Sequence, residues 1–231
     1  MAYSLVRHWK RKKIKSVRRS PVTSVSISAS NPGEKITAVI LAAGKGTRFN
    51  GHKMMHGING IPMAIRSALN AQPHVHHVLV IVRPQDHRLK RALDKYRLAY
   101  TDNPDFEQGM SSSIVQAIDH IPDDQHILLC LGDMPHIEPD TYQRLIAGFR
   151  NHEFKKIIRP IYQSEDPIPA HPVLFPASLQ ADLKLLSGDA GAKPILKINQ
   201  PILLETSDEG VIKDIDYYTG HNEIVGQVSG A

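Results

Sequence analysis

The stretch Ile36-Thr-Ala-Val-Ile-Leu-Ala-Ala-Gly-Lys-Gly-Thr-Arg48 decides the fold of this 231-residue chain. Its first seven residues are apolar apart from one threonine, a pattern typical of a parallel strand that is buried on both faces. A turn with two glycines follows directly, at the carboxyl end of the strand. Because open α/β sheets bind ligands at that edge, the stretch predicts a ligand-binding loop on a parallel sheet.

Further along the chain, short apolar runs alternate with helical patterns. Strands are predicted at Ile36–Ala42, His77–Val82 and Ile127–Leu131, and helices at Pro62–Ala71, about Gln85–Lys95, Ser111–His120 and Pro139–Phe149. After about residue 155 the alternation loosens, and this half is interpreted as a substrate-facing section built onto the same sheet. The whole pattern predicts an α/β fold of three layers, in which a mostly parallel central sheet carries helices on both faces.

Charge is distributed unevenly along the sequence. The formal net charge is +5, but residues 1–20 hold eight basic residues and no acid, so the remainder carries a net charge of −3. We therefore expect no nucleic-acid binding by the folded body, which is predicted to span residues 36–231. Residues 1–35, basic and then serine-rich, are predicted to be a disordered extension or residues translated from an upstream start. An anchor for anionic surfaces and an organelle transit peptide are the alternatives.

Cysteine content and hydropathy bear on the protein's environment. The one cysteine, Cys130, excludes an intramolecular disulfide and lies in an apolar run, which favours a small buried hydrophobe. No run of about 18 apolar residues occurs, so no membrane span is predicted. We expect a cytoplasmic location.

The glycine-rich loop has the composition of a phosphate site. Gly44 and Gly46 let backbone N–H groups approach phosphate oxygens, and Arg48 and Lys53 supply positive charge. The dinucleotide fingerprint fails because Phe49 stands where its third glycine is required, and a P-loop fails because the lysine comes one place late. Taken alone, the loop indicates a phosphate ligand no more strongly than an ordinary turn.

Six segments together resemble the molybdenum cofactor cytidylyltransferase group of the MobA-like NTP transferases. They occur in that family's order over roughly residues 36–216, and the chain departs from the pattern at Ala170, where glycine is usual, and after Asp216. The segments are Leu41-Ala-Ala-Gly-Lys-Gly-Thr-Arg48, Gly109-Met-Ser-Ser-Ser-Ile114, Leu131-Gly-Asp-Met-Pro135, His171-Pro-Val-Leu-Phe175, Gly188-Asp-Ala-Gly-Ala192 and Asp214-Ile-Asp216.

The resemblance implies transfer of a nucleotidyl group with release of pyrophosphate. It favours CTP as donor and molybdopterin as acceptor, and a molybdoenzyme or its chaperone as a transient partner. The sequence Leu41-Ala-Ala-Gly44 favours cytidine, because guanylyl-transferring relatives have Leu-Ala-Gly-Gly there. The alternatives are GTP or another NTP with a sugar phosphate or other small acceptor, and a non-catalytic nucleotide-binding chaperone for the cofactor.

The resemblance also assigns site residues. Lys53, Arg48 and Asp133 are the expected catalytic residues, and no protein nucleophile is required. Asp133 directly follows a predicted strand and Gly132, and it is the expected Mg²⁺ ligand, with Asp216 or Asp214 as a second carboxylate. His171 and Asp189 are expected on the acceptor side. The expected nucleotide-binding residues are Leu41, Ala42, Ala43, Gly44, Gly46, Arg48, Lys53, Gly109, Ser111 and Ser113.

Overall fold

The described part of the chain, residues 35–44 and 53–215 of a computed structural model, alternates strands and helices. The strands are β1 Ile36–Leu41, β2 Gly57–Ile58, β3 Ile61–Pro62, β4 His77–Val82, β5 Ala99–Asp102, β6 His126–Leu131, β7 Ile158–Tyr162, β8 Ile168–Pro169, β9 Val173–Phe175 and β10 Ile202–Thr206. The helices are α1 Met63–Ala71, α2 His87–Lys95, α3 Met110–Ile118, α4 Pro139–Asn151, α5 Gln180–Leu183 and α6 Lys193–Asn199.

Strand β1 lies inside the main sheet, whose order is β10-β7-β9-β6-β1-β4-β5, with β8 added beside β7. It pairs in parallel with β6 and β4, β4 pairs in parallel with β5, and β10 pairs in parallel with β7. Strand β9 is antiparallel to both β6 and β7, so β7 runs in the same direction as β1. The predicted mostly parallel sheet is confirmed, and the carboxyl ends of its parallel strands lie at one edge.

The core has two layers because β1 alternates its side chains between the two faces of the sheet. Ile36, Ala38 and Ile40 pack with α1, α2 and α4, whereas Val39 and Leu41 pack with α3, α5 and α6. Both sets are buried, which explains the continuous apolar run. The helices have 4 to 13 residues, and none in the described ranges is long and apolar enough to cross a membrane.

The structure contains the predicted helices and strands, but several begin or end at residues other than those predicted. Helix α2 begins at His87 because residues 84–86 form a turn, which the Arg83–Asp86 ion pair (2.6 Å) closes. Helix α3 begins at Met110, directly after Gly109. The sequence reading missed β5, and the section after residue 155 joins the same sheet, as predicted, through β7, β9 and β10.

Two predictions concern parts of the chain beyond the described ranges. The N-terminal extension at residues 1–35 lies, apart from Lys35, outside the described residues, and so does the C-terminal end from Asp216. The proposed division at residue 36 therefore stays a prediction. Cys130 lies within the described part and is buried as expected, with 1% of its surface exposed, and burial raises the pKa of its thiol.

Buried Asp208 ties the segment after β10 to the beginning of α4. Its carboxylate accepts hydrogen bonds from the Glu138 backbone N–H (2.9 Å), the Thr141 hydroxyl (2.7 Å) and the Gly210 backbone N–H (2.8 Å). Only 6% of Asp208 is exposed, so its carboxylate is the buried acceptor that satisfies these three donors. The anchor fixes the path of residues 209–215, which carries Asp214 to the carboxyl edge of the sheet.

We expect Asp208→Ala to lower the free energy of unfolding by about 2–4 kcal/mol, because three donors lose a charged acceptor. Asp140→Ala removes an exposed carboxylate from the first turn of the same helix and should cost less than about 1 kcal/mol. Urea unfolding followed by circular dichroism measures both. Equal midpoints for the two variants would contradict the anchoring role.

Candidate active site

The carboxyl end of β1 is held between its two neighbouring strands. The Ala42 backbone N–H donates to the Ile81 carbonyl, and the Gly132 N–H donates to the Leu41 carbonyl, each at 2.9 Å. Leu41, Ala42 and Ala43 are buried, and the chain reaches the surface at Gly44. The described part of the predicted nucleotide loop therefore leaves the sheet at the ligand-binding edge, while Gly46 and Arg48 lie outside the described residues.

Gly132 allows the ends of β1 and β6 to approach closely. A Cβ atom at this position would lie 2.9 Å from the Leu41 carbonyl oxygen and 3.1 Å from the Met54 sulfur. Any larger residue would push the two strand ends apart, since the nearest of these atoms belongs to the backbone. The next residue, Asp133, is thereby placed beside the end of β1.

Lys53 and Asp133 form an ion pair at this edge. The Lys53 Nζ donates to the Asp133 Oδ2 at 2.7 Å, with 12% and 19% of the two side chains exposed. Lys53 lies in a short 3₁₀ turn, Lys53–Met55, which directly follows residues 45–52. The fold thus brings together a cation and a carboxylate that stand 80 positions apart in the sequence, at the mouth of the loop.

The second predicted metal segment reaches the same place. The Ile215 backbone N–H donates to the Asp133 carbonyl at 3.0 Å. Half-buried Asp214 therefore lies in a segment that contacts Asp133. Asp216, the alternative ligand, lies outside the described residues. Within the described ranges no group of three or more metal-ligating side chains occurs. One or two carboxylates suit Mg²⁺ on a nucleotide, which keeps several waters, so the donor set fits that ion.

The segment predicted to bind the nucleotide, which begins at Gly109, contacts the segment that holds Asp189, which is predicted to face the acceptor. The contact lies at the beginning of α3. Gly109 has φ +100°, and a Cβ atom there would lie 2.2 Å from the Asp189 Oδ1. The Ser111 backbone N–H donates to the Gly188 carbonyl (3.1 Å), and the Ser111 hydroxyl to the Ser187 carbonyl (3.2 Å). Ser111 is fully buried in this contact. Its hydroxyl therefore has a structural role, and its contact with a nucleotide stays a prediction.

Asn103 is a site residue that the sequence reading missed. It is fully buried after β5, and its Nδ2 donates to the hydroxyls of Ser112 (2.9 Å) and Ser113 (3.0 Å). This amide holds the first turn of α3 in place and orients Ser113, whose proposed nucleotide contact stays a prediction. The Asn103-Pro104 pair is a turn signal, but the four residues of β5 before it are too few and too mixed in polarity to have indicated the missed strand.

His171 lies two residues before β9, at the same edge of the sheet. Burial, together with the positive charges of Arg159 and Lys193, lowers the pKa of His171 from 6.5 to about 4. Its backbone N–H donates to the Val211 carbonyl at 3.3 Å. The imidazole is thus neutral near pH 7, which suits a hydrogen-bonding role toward an acceptor and not a charge-pairing one.

We expect Gly109→Ala to lower the free energy of unfolding by about 2 kcal/mol or more, because it combines an unfavourable φ with a collision against the Gly188 backbone and the Asp189 carboxylate. Gly57→Ala is the matched control, because a Cβ atom there meets nothing within 4 Å. Equilibrium unfolding in urea compares the two. Equal stabilities would mean that the loop of residues 187–191 does not pack on α3 in this way.

The lowered pKa of His171 predicts a pH dependence of stability. Below its ordinary pKa of 6.5 the unfolded chain binds a proton at this position, whereas the folded chain does so only near pH 4. The free energy of unfolding should therefore fall as the pH decreases through this window, and His171→Gln should reduce that fall. His87→Gln, at an exposed position, is the control. Identical slopes for His171→Gln and the wild type between pH 6.5 and 4 would refute this prediction.

The described elements define an α/β fold whose parallel strands end at the edge where Lys53 and Asp133 meet. The sequence profile of the family described as the MobA-like NTP transferase domain matches residues 38–205. The chain belongs to this family, as the sequence motifs predicted.

The chain is similar in sequence to two proteins that have different names. It is 30% identical over 192 residues to nicotine blue oxidoreductase of Paenarthrobacter nicotinovorans, covering 78% of this chain and 92% of that protein. It is 32% identical over 125 residues to the bifunctional protein GlmU of Alkalilimnicola ehrlichii, covering 49% of this chain and 25% of the relative. The chain thus spans about a quarter of the length of that relative.

Solved structures share the fold. A nucleotidyl transferase from Methanothermobacter thermautotroptrophicus superposes with a TM-score of 0.60 at 21% identity, over 80% of this chain and 93% of that one. Rv0371c of Mycobacterium tuberculosis, in complex with manganese, gives 0.57 at 20% identity, over 74% and 87%. CMP:2-keto-3-deoxy-manno-octonic acid synthetase, complexed with CTP, gives 0.62 at 13% identity, over 79% and 93%.

Proposed function

We propose that this chain transfers CMP from CTP to molybdopterin, releases pyrophosphate and uses Mg²⁺. The observation that carries the proposal is the ion pair between Lys53 and Asp133, which lies at the end of β1 in a member of an NTP transferase family. A cation and a carboxylate at the mouth of a glycine-rich loop suit a triphosphate and its metal ion, respectively.

The reaction needs alignment and charge more than covalent work by the protein. An acceptor phosphate oxygen attacks the α-phosphorus and forms a new P–O bond, while the bond to the bridging oxygen of pyrophosphate breaks. Negative charge then builds up on the leaving pyrophosphate. Lys53 offsets it, with Arg48 as a second cation from the loop, and the backbone N–H groups of residues 43–46 position the phosphates.

Asp133 would hold the metal ion, with Asp214 or Asp216 as the second carboxylate. Mg²⁺ supplies positive charge to the phosphate oxygens when it is bound. The contact between the Ile215 N–H and the Asp133 carbonyl supports this pairing, because it holds the two acidic segments together. Rv0371c, which shares the fold, was solved in complex with manganese, and this supports the use of a divalent ion.

Two observations favour CTP as the donor. The loop reads Leu41-Ala-Ala-Gly44, and the methyl group of Ala43 is buried in the core layer that contains α3. Guanylyl-transferring relatives have glycine at this position, so by resemblance the alanine favours cytidine. The octonic acid synthetase, which shares the fold, was solved in complex with CTP, and this supports the donor assignment.

The acceptor side is assigned to His171 and Asp189. Asp189 lies against Gly109, at the beginning of α3, so an acceptor held there would adjoin the expected base and ribose contacts. Neutral His171 would supply a hydrogen bond rather than a charge. Transient contact with a molybdoenzyme or its chaperone, and a cytoplasmic location, belong to the same proposal.

A different donor and acceptor form the second candidate. The identity to GlmU covers only part of each protein, and the relative named nicotine blue oxidoreductase shows that family members carry names of different reaction classes. GTP or another NTP with a sugar phosphate would use the same loop and the same Lys53–Asp133 pair. A non-catalytic cofactor chaperone would bind nucleotide and release no pyrophosphate.

We expect pyrophosphate release with CTP, Mg²⁺ and molybdopterin, and a loss of about 100-fold or more in kcat/KM for both Lys53→Met and Asp133→Asn, because each removes charge next to the triphosphate. Lys35 and Asp124 form a matched ion pair (3.1 Å), which lies at the amino end of β1. Lys35→Met and Asp124→Asn should therefore leave kcat/KM unchanged. A coupled assay for pyrophosphate measures all five proteins.

The other outcomes discriminate between the candidates. Activity with GTP or ATP and none with CTP would overturn the donor assignment. Full activity of Asp133→Asn would overturn the metal role. Stabilisation by CTP in a thermal melt without pyrophosphate release from any NTP, across a screen of acceptors, would favour the chaperone.

A further inference from the structure

A cavity of about 470 Å³ lies between α6 and the strands β7 and β10. Its walls combine three basic side chains, Arg159, Lys193 and Lys197, with apolar groups such as Leu196 and Leu203. No acidic residue lines it. The cavity is therefore a basic pocket of a size that suits a small ligand, and it is separate from the Lys53–Asp133 pair.

Arg159 is the unusual member of this wall. Only 6% of the residue is exposed, and its Nε donates to the Ala170 carbonyl at 3.2 Å. Its Nη2 is buried and makes no hydrogen bond to the described part of the chain. A guanidinium stays charged at neutral pH, so burying it with an unsatisfied N–H group is costly. An anion that reached the pocket would satisfy this group after a small movement of the side chain or of the wall.

The two lysines add to the same positive field. Lys193 and Lys197 are four residues apart on α6, so they share one face of the helix and repel each other. The carboxylate on β10, Glu205, accepts a hydrogen bond from the Gln163 amide (2.8 Å) and does not line the pocket. Among the described residues, Arg159 makes no ion pair with any carboxylate within 4 Å. Three cations without an acid in the wall favour a multiply charged anion.

The pocket adjoins the acceptor side of the candidate active site. Lys193 directly follows the Gly188–Ala192 segment, which packs on the beginning of α3. Arg159 and Lys193 both act on the electrostatics of His171. The cationic groups and the predicted acceptor residue therefore belong to one neighbourhood, whereas the nucleotide loop leaves β1 on the far side of β9 and β6.

We propose that this pocket is a second anion site, distinct from the triphosphate loop, which binds a phosphate-class oxyanion through Arg159, Lys193 and Lys197. The planar guanidinium offers paired N–H donors to two oxygens, and the lysines contribute charge from the helix side. The anion is either a phosphate carried by the acceptor or free inorganic phosphate, and the chemistry of recognition is the same for both.

Calorimetric titration of the full chain with inorganic phosphate tests the site directly. We expect wild-type protein to bind phosphate, Arg159→Met to bind it about tenfold more weakly or worse, and Lys193→Met and Lys197→Met to bind it several-fold more weakly. Lys95→Met is the matched control for Lys197→Met, since both lysines lie in the last turn of a helix and are exposed. Its affinity should equal that of the wild type.

A thermal melt provides a second readout that does not depend on the folding of a single variant. Arg159→Met removes a buried cation, so its melting temperature without phosphate should be unchanged or higher, while the shift caused by phosphate should disappear. If Arg159→Met does not fold, Lys193→Met and Lys197→Met decide the question. The proposal is overturned if wild-type protein binds no phosphate, or if both lysine variants bind it as Lys95→Met does.

Lys53→Met separates this proposal from the proposed function. Phosphate binding that is lost in Lys53→Met and kept in Lys197→Met would place the anion at the nucleotide loop and overturn the second site, while leaving the nucleotide assignment intact. Phosphate binding that persists in Lys53→Met and weakens in Lys197→Met supports the second site, even if no NTP yields pyrophosphate.

The source of the anion follows from kinetics with CTP and molybdopterin. If the pocket holds the acceptor's phosphate, inorganic phosphate raises the KM for molybdopterin without changing the KM for CTP, and Lys197→Met raises the same KM. If the pocket binds free phosphate as an effector, the rate responds to phosphate at saturating molybdopterin, and Lys197→Met abolishes the response. A rate that responds to phosphate equally in the wild type and in both lysine variants contradicts the proposal.

Discussion

The close approach of β1 and β6 at Gly132 is the constraint on which the candidate site depends. The Gly132 N–H donates to the Leu41 carbonyl at 2.9 Å, and a Cβ atom at Gly132 would lie only 2.9 Å from the same oxygen, which leaves no room for a side chain. Asp133 follows immediately and meets Lys53 at the mouth of the loop. Because the two strands are parallel, their carboxyl ends lie at the same edge of the sheet. The backbone hydrogen bond between these ends fixes the position of the Asp133 carboxylate.

Buried polar groups join distant segments to this edge. Asp208 binds three donors at the beginning of α4 and fixes the chain that returns Asp214 to Asp133. Asn103 holds two serines at the beginning of α3. Each group is satisfied, as burial in a low dielectric requires. Arg159 departs from this rule, as a few other buried groups do, and it is the one of them that lines the basic pocket.

The sequence predicted the three-layer fold with a central sheet because β1, β4 and β6 are buried on both faces. Their sequences are therefore continuous apolar runs. It missed β5, whose four residues are too few for a clear period and include a half-exposed alanine and an exposed aspartate. It named Ser111 and Ser113 as polar groups for a ligand. Their partners, Asn103 and the carbonyls of residues 187–191, come from distant positions that periodicity does not reveal.

The sequence by itself determined the class of fold and the family, since hydrophobic period, glycine spacing and ordered motifs are local properties. Tertiary structure alone decided that Lys53 pairs with Asp133, that Asp189 rests against Gly109, and that Arg159 is buried beside two lysines. These facts depend on strand order and on which residues meet across the sheet. Contacts between residues far apart in the chain arise from packing, so local patterns do not encode them individually.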